Sequence, residues 1–385
     1  MRVLFTTQPG IGHFRPLVPF ARALEKAGHA VAFACAASFH PEVRASGFTC
    51  HAAGYDYRLA EVSKTFPDIP PPGPDRAPKM LALWRGAAAI SMARDLLALA
   101  PQLAPDVIIH ENFEFGASIA AERLGVPHVA AGALWFRPEA FGPLEPAIRE
   151  LDLLPEAVGQ FRHLALAAMP PRWVAEDEQL PETARFIQPE HLDVGAAPAL
   201  EWLERLPPER PVVHATMGTT EVNRSPGLYE AIIAGLREEP ITLIVATGHE
   251  RDPAEFGPQP PHVRIERFIP HGALLPRCQL VVTHGGHGTL MACFGLGIPV
   301  VVLPVNADQP RNSARCEALG VGRAVGAPHR TPESIRAAVR AVLADPSYLR
   351  NVASLRAEIA ALPGLDEATR LIEQLAAESS KKRSS

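Results

Sequence analysis

Three stretches of the chain carry residue types that could do chemistry. In the first, Gln8-Pro9-Gly10-Ile11-Gly12-His13 joins a strand-like run, Val3–Thr7, to a helical one, Leu17–Ala27. A histidine at such a turn sits at the carboxyl end of a parallel sheet, where open α/β domains hold ligands. It could instead cap the helix or face solvent. The Gly10–Gly12 spacing begins like a dinucleotide fingerprint, but Arg15 stands where the third glycine belongs, so NAD is discounted. The second stretch, Pro105-Asp106-Val107-Ile108-Ile109-His110-Glu111, ends a strand in a histidine and a carboxylate. In a doubly wound sheet strands one and four are neighbours, so Glu111 and His13 can meet between their ends. A carboxylate on one ring nitrogen fixes the tautomer and raises the basicity of the other, as a base acting on a hydroxyl requires. The alternatives are that Glu111 is a surface charge and that His110 is the partner or is structural.

The third stretch follows a buried strand, Leu280–Thr283, and reads His284-Gly285-Gly286-His287-Gly288-Thr289 before a helix. Three glycines let backbone N–H groups approach an anion closely, and the helix N-terminus adds its dipole. Thr289 can cap and donate its hydroxyl; His284 can donate to a phosphate oxygen or carry positive charge. The pattern fits a diphosphate held without a metal, and no DxD-like pair lies nearby; a tight turn needing glycine is the alternative, and two histidines interleaved among three glycines make it the weaker reading. Asp308 and Gln309, after Pro304-Val305-Asn306-Ala307, could read polyol hydroxyls, and Asp308 could also cap the next helix.

The elements that must position these residues alternate strand and helix, the mark of βαβ units around parallel sheets. Strands are expected at Val3–Thr7, Ala30–Ala36, Asp106–Glu111 and His128–Gly132, with helices at Leu17–Ala27 and Ala117–Leu124 ending at Gly28 and Gly125. The pattern restarts at Pro211, with strands at Val212–Met217, Thr242–Ala246, Val263–Arg267, Leu280–Thr283 and Val300–Pro304. Helices are expected at Pro226–Arg237, Thr289–Gly295 and Gln309–Leu319. Between about 140 and 210 the alternation lapses, and Arg205–Pro211 is rich in proline, as linkers are. The expected fold is therefore α/β: two Rossmann-like doubly wound domains facing across a cleft. Residues 1–205 form the first, 206–360 the second, and 361–385 a helix packing back on the first domain, with a disordered tail. Phe66–Pro74, with five prolines, is a loop, either a lid or binding element or a disordered segment.

At 385 residues the chain is long enough for two cores, and 47% apolar with 21% charged residues is ordinary for a soluble globular protein. A net charge of −5 gives no reason to expect nucleic acid or an anionic membrane as partner. The most apolar stretch, 290–305, is broken by Gly295, Gly297, Pro299 and Pro304, which argues against a membrane span. Five cysteines in no CxxC or metal-ligand pattern read as reduced thiols, and with no signal peptide evident the expected location is cytoplasmic.

Together these stretches resemble the inverting GT-B glycosyltransferases, in particular bacterial natural-product enzymes related to the UDP-glycosyltransferases. The resemblance covers both halves and is most specific from Arg267 to Gly322. There Phe268-Ile269-Pro270-His271, His284-Gly285-Gly286-His287-Gly288-Thr289 and Asp308-Gln309-Pro310-Arg311-Asn312 keep the family order; Gly12-His13 with Pro16 supports it. The resemblance implies that His13 deprotonates an acceptor hydroxyl with Glu111 as partner, and that the hydroxyl attacks the anomeric carbon with inversion. It implies that His284, Gly285, Gly286, Gly288 and Thr289 hold the diphosphate, with Gly12, Thr216 and Gly218 near it. Phe268 would stack on the base, the Ile269 backbone would read its edge, and Asp308 and Gln309 would hold sugar hydroxyls.

Two departures carry consequences. The family's usual aspartate partner is Glu111 here, one methylene longer. A glutamate that binds ribose hydroxyls in plant relatives is replaced by Ala292, which favours a dTDP-deoxysugar donor over a UDP-sugar. No metal or further cofactor is expected. The acceptor is expected to be an apolar aglycone, lined by aromatics drawn from Tyr55, Tyr57, Phe66, Trp84, Phe113, Phe115, Trp135 and Phe136. A nucleotide-sugar epimerase of similar fold and a non-catalytic glycosyltransferase helper are the rival functions, and the sequence leaves a homodimer open.

Overall fold

The computed structural model describes residues 1–70, 75–136, 159–190, 200–218, 227–248 and 251–384. The chain forms two compact units: Met1–Gln188 with Leu362–Ser385, and Pro189–Ala361. The first holds a parallel sheet of seven strands: β1 Arg2–Thr6, β2 Ala30–Cys35, β3 Thr49–Ala52, β4 Val107–His110, β5 His128–Gly132, β6 Leu164–Ala167 and β7 Ala184–Phe186. Their order is β3-β2-β1-β4-β5-β6-β7. Strands β4, β5 and β6 are buried along their whole length, as parallel strands covered on both faces must be. The aromatic side chains Phe5, Phe14 and Phe33 are buried against one another, with ring centroids 5.0 and 5.2 Å apart. Each such side chain contributes about 1.5–3 kcal/mol by leaving water.

The second unit repeats the plan with β8 Val212–Thr216, β9 Thr242–Ala246, β10 Val263–Glu266, β11 Leu280–Thr283, β12 Val300–Val302 and β13 Gly322–Ala324. All pair in parallel, in the order β10-β9-β8-β11-β12-β13. In both sheets the order reverses at the first strand, and register decides what meets there. Thr6 pairs with His110, so Thr7 and Glu111 leave the sheet side by side. Thr216 pairs with Thr283, which brings Met217 beside His284.

Several elements differ from expectation. Strands β6 and β7 lie within the region where alternation was expected to lapse. Leu164-Ala165-Leu166-Ala167 is made of good helix formers, and burial between neighbours overrides that preference. Strands β3 and β13, of 4 and 3 residues, are too short to show a period. The second unit begins at Pro189 rather than 206, so 200–205 belongs to it. Leu203 is buried there, and the guanidinium of Arg264, a residue of β10, stacks over the Trp202 ring, 4.2 Å from its centroid. Gly125 ends the helix Gly116–Leu124 at φ 65°, a left-handed conformation that glycine adopts without strain. Of the expected Phe66–Pro74 loop, residues 71–74 lie outside the described residues; 67–69 form turns.

The chain returns to the first unit through Pro363, whose carbonyl accepts from Gln188 N at 2.8 Å. The helix Leu365–Ser384 then packs against Val18–Lys26, burying Ala368, Ile372 and Ala376. His29 Nε2 meets Glu373 Oε1 at 2.8 Å beside this seam.

Candidate active site

The first-unit site is built by the loops after β1 and β4. The chain turns at Gly10 into one helical turn, Ile11–Phe14, which lifts His13 above the sheet end while Phe14 anchors in the core. A Cβ at Gly10 would lie 2.9 Å from Leu59 Cδ2, so a larger residue there would push the Leu59 side chain aside. His13 Nδ1 stands 3.1 Å from Glu111 Oε2, and the two side chains are 17% and 5% exposed. Glu111 is fixed from behind: Oε2 accepts from Phe113 N at 2.8 Å and Oε1 from Gln8 N at 3.4 Å. The extra methylene relative to aspartate is therefore accommodated, and the carboxylate reaches the ring. His110 is not the partner. It is wholly buried, its Nδ1 donates to Glu111 O at 3.1 Å, and burial pushes its pKa down to about 3.

Aromatic rings wall the imidazole. Trp84 and Phe113 present edges at 5.6 and 5.9 Å from the His13 centroid, and Trp135 packs on Phe113 at 5.5 Å. A hydrogen-bond chain holds this wall: Trp84 Nε1 donates to Tyr57 Oη at 3.0 Å, and Tyr57 Oη donates to Gln8 Oε1 at 2.6 Å. Gln8 Nε2 then donates to Phe113 O at 3.0 Å. Of the eight aromatics expected around an acceptor, Phe115 and Phe136 are core residues at 1% exposure, whereas Tyr55 is well exposed and packs edge-on against Phe66. Gln8 and Glu114 were not singled out from the sequence, since no motif marks them. Glu114 is wholly enclosed; it accepts from Thr6 Oγ1 at 2.6 Å and from the Gly116 and Ala117 amides, and burial raises its pKa to about 7.

The second-unit site follows β11. Gly285 takes φ +88°, and a Cβ there would meet Val302 Cγ1 at 2.6 Å, so the chain passes β12 only as glycine. Gly286 caps the helix His287–Leu296, and a Cβ on it would strike His284 Nε2. The helix starts two residues earlier than expected, which makes Thr289 a first-turn residue and not its cap. His284 is buried, with Nδ1 3.3 Å from Thr283 Oγ1. Burial pushes its pKa down to about 4, against the Thr216 backbone, so at neutral pH the ring carries no charge.

Asp308 stands at the N-cap position of the helix Gln309–Ala318, but its side chain makes no capping hydrogen bond there. Its Oδ2 accepts instead from His287 N at 3.3 Å and from Asn312 Nδ2 at 2.7 Å, and Asn312 Nδ2 also donates to Gly285 O at 2.9 Å. Asp308 thus ties the two helix starts together, and burial raises its pKa despite these donors. Asn312, which no sequence reading singled out, is the clamp. Gln309 folds back: its Oε1 accepts from Val305 N at 2.7 Å and Asn306 N at 3.0 Å, holding the loop in which Ala307 takes φ 52°. Phe268, at the end of β10, is 47% exposed while Ile269 beside it is buried. Thr216 Oγ1 accepts from Gly218 N at 3.4 Å. Gly12 and Gly288 leave open space where a Cβ would sit. No helix among the described residues is long and apolar enough to cross a membrane.

Residues 239–375 match the family model described as erythromycin biosynthesis protein CIII-like, C-terminal domain. The L-demethylnoviosyl transferase of Streptomyces niveus is 33% identical over 87% of this chain and 87% of its own. The 4'-demethylrebeccamycin synthase of Lentzea aerocolonigenes is 29% identical over 97% of this chain and 99% of its own. Among solved structures, glycosyltransferase VinC in complex with dTDP superposes with a TM-score of 0.79 at 26% identity, covering 98% of this chain and 100% of that one. The chain belongs to the natural-product glycosyltransferases of the GT-B fold.

Proposed function

We propose that this glycosyltransferase moves a deoxysugar from a dTDP-sugar to a hydroxyl of an apolar aglycone, with inversion and without a catalytic metal. The observation that carries the reading is the 3.1 Å contact between His13 Nδ1 and Glu111 Oε2. With Nδ1 donating to the carboxylate, Nε2 keeps its lone pair and takes the acceptor proton as the oxygen attacks the anomeric carbon; Glu111 stabilises the imidazolium that forms. The aromatic wall of Trp84, Phe113 and Trp135 suits an apolar acceptor.

The donor diphosphate lies on the His284–Thr289 turn, where His284 and the helix N-terminus meet the charge released with the nucleotide. Thr216 and Gly218 flank it, and Phe268 stacks on the base beside the Ile269 backbone. Asp308 holds a sugar hydroxyl through its second oxygen. Gln309 contributes by shaping the loop, because its side chain is already engaged. Ala292, at 4% exposure, offers no carboxylate to a ribose 2′-hydroxyl, which supports dTDP over UDP. The dTDP held by VinC points the same way.

Calorimetry without added metal tests the donor: dTDP should bind more tightly than UDP, and His284→Ala should weaken it by about 10–100-fold, the loss of one hydrogen bond to a charged group. Equal binding of the two nucleotides, or an indifferent His284→Ala, overturns the donor assignment. His13→Ala should keep dTDP binding and lower kcat by about 10²–10⁴-fold. The anomeric configuration of the product, read by NMR, tests inversion.

A further inference from the structure

A second histidine cluster lies in the first unit, away from the dyad. His110 Nδ1 donates to the Glu111 carbonyl, which can only accept. A neutral His110 therefore has no proton on Nε2, and the 3.1 Å contact from that atom to His128 Nδ1 must be donated by His128. That leaves His128 Nε2 as a bare lone pair. It is buried without a hydrogen-bond partner and faces Glu122 Oε1 at 3.7 Å, a carboxylate oxygen also buried without a partner. His163 Nδ1 lies 3.9 Å from the same oxygen and accepts from His128 N at 3.5 Å, so it too presents a lone pair. Three acceptors within 4.8 Å of one another, with no proton among them, repel unless a cation sits between.

We propose that Glu122 Oε1, His128 Nε2 and His163 Nδ1 bind one Zn²⁺, with water in the fourth position. Ligand atoms of a tetrahedral zinc site, each about 2.0–2.1 Å from the ion, stand about 3.4 Å apart, so a contraction of a few tenths of an ångström closes two of the three separations. The surrounding contacts suit the task. His110 orients His128 from behind, as the partners of metal-bound imidazoles do. Arg162 Nη1 takes Glu122 Oε2 at 2.8 Å, which turns Oε1 toward the rings. The long His128 N–H contact to His163 is cheap to surrender. Glu122 and His163 are partly exposed at 13% and 28%, so an ion can enter from solvent. The ion would pin the helix Gly116–Leu124, β5 and the turn before β6 to one point.

Protein treated with EDTA and desalted is titrated with Zn²⁺ against a chromophoric chelator, and separately with Co²⁺, whose visible bands report tetrahedral coordination. One ion per chain, tetrahedral Co²⁺ bands, and affinity at least about 100-fold weaker in His163→Ala and Glu122→Gln are expected. Zn²⁺ should raise the melting temperature of the parent and not of the variants. His163→Ala removes a partly exposed ring, so it serves even where Glu122→Gln disturbs Arg162. Absence of stoichiometric uptake, or uptake unchanged in His163→Ala, overturns the site.

Discussion

At the residue scale, His13 and Glu111 meet at 3.1 Å because each is held by something other than the other. Glu111 is fixed by two backbone amides, and His13 by the turn that buries Phe14. Tyr57 does the corresponding work for the aromatic wall, since its hydroxyl donates to Gln8 and accepts from Trp84. Tyr57→Phe leaves Gln8 Oε1 and Trp84 Nε1 buried without that partner, so urea unfolding should show a loss of about 1–3 kcal/mol. The dyad was legible in the sequence because the strand order of a doubly wound sheet dictates which strand ends meet. The Gln8–Tyr57–Trp84 chain was not, because its members sit 49 and 27 residues apart with no repeat or motif to pair them. The same holds for Glu122, His128 and His163, whose spacing matches no local metal motif.

At the scale of elements, the turn after β11 separates two roles of glycine. Gly286 has ordinary extended backbone, φ −64° and ψ 139°, so Gly286→Ala should displace only the His284 ring. Nearly unchanged melting with dTDP binding weakened about 10–100-fold is the expected result in calorimetry. Gly285→Ala meets both the φ of +88° and the Val302 side chain, so it should destabilise the fold by about 2–4 kcal/mol in chemical unfolding. The sequence announced this turn through its glycines and histidines, yet placed the helix start at Thr289. Gly286 is the cap residue, and His287 N donates to Asp308 in the next loop, a partner 21 residues away. Strands with β-branched runs were read to within two residues. The strand built of Leu and Ala, β6, was missed because only tertiary burial makes it a strand.

At the scale of the whole molecule, buried neutral histidines set the response to acid. Burial depresses His214 to about 3 and His284 to about 4, below the 6.5 of the unfolded chain. The unfolded state therefore binds more protons below pH 6.5, and the stability these groups contribute is present above that pH and lost as pH falls through 4. Each group adds a slope of up to about 1.4 kcal/mol per pH unit. Urea unfolding from pH 7 to 4 should show that slope, shallower by up to one such group in His214→Gln, which keeps a donor for Ile244 O. The returning helix makes a second prediction at this scale. Deleting residues 365–385 exposes the face of Val18–Lys26 that Ile372 covers, and should cost the first unit about 3 kcal/mol while leaving dTDP affinity within twofold. The order of the chain also has a consequence in time. A ribosome completes the second unit, Pro189–Ala361, before it has made the helix that finishes the first. The first unit, begun earliest, is therefore sealed last: it waits, with one helix face bare, through the synthesis of the second.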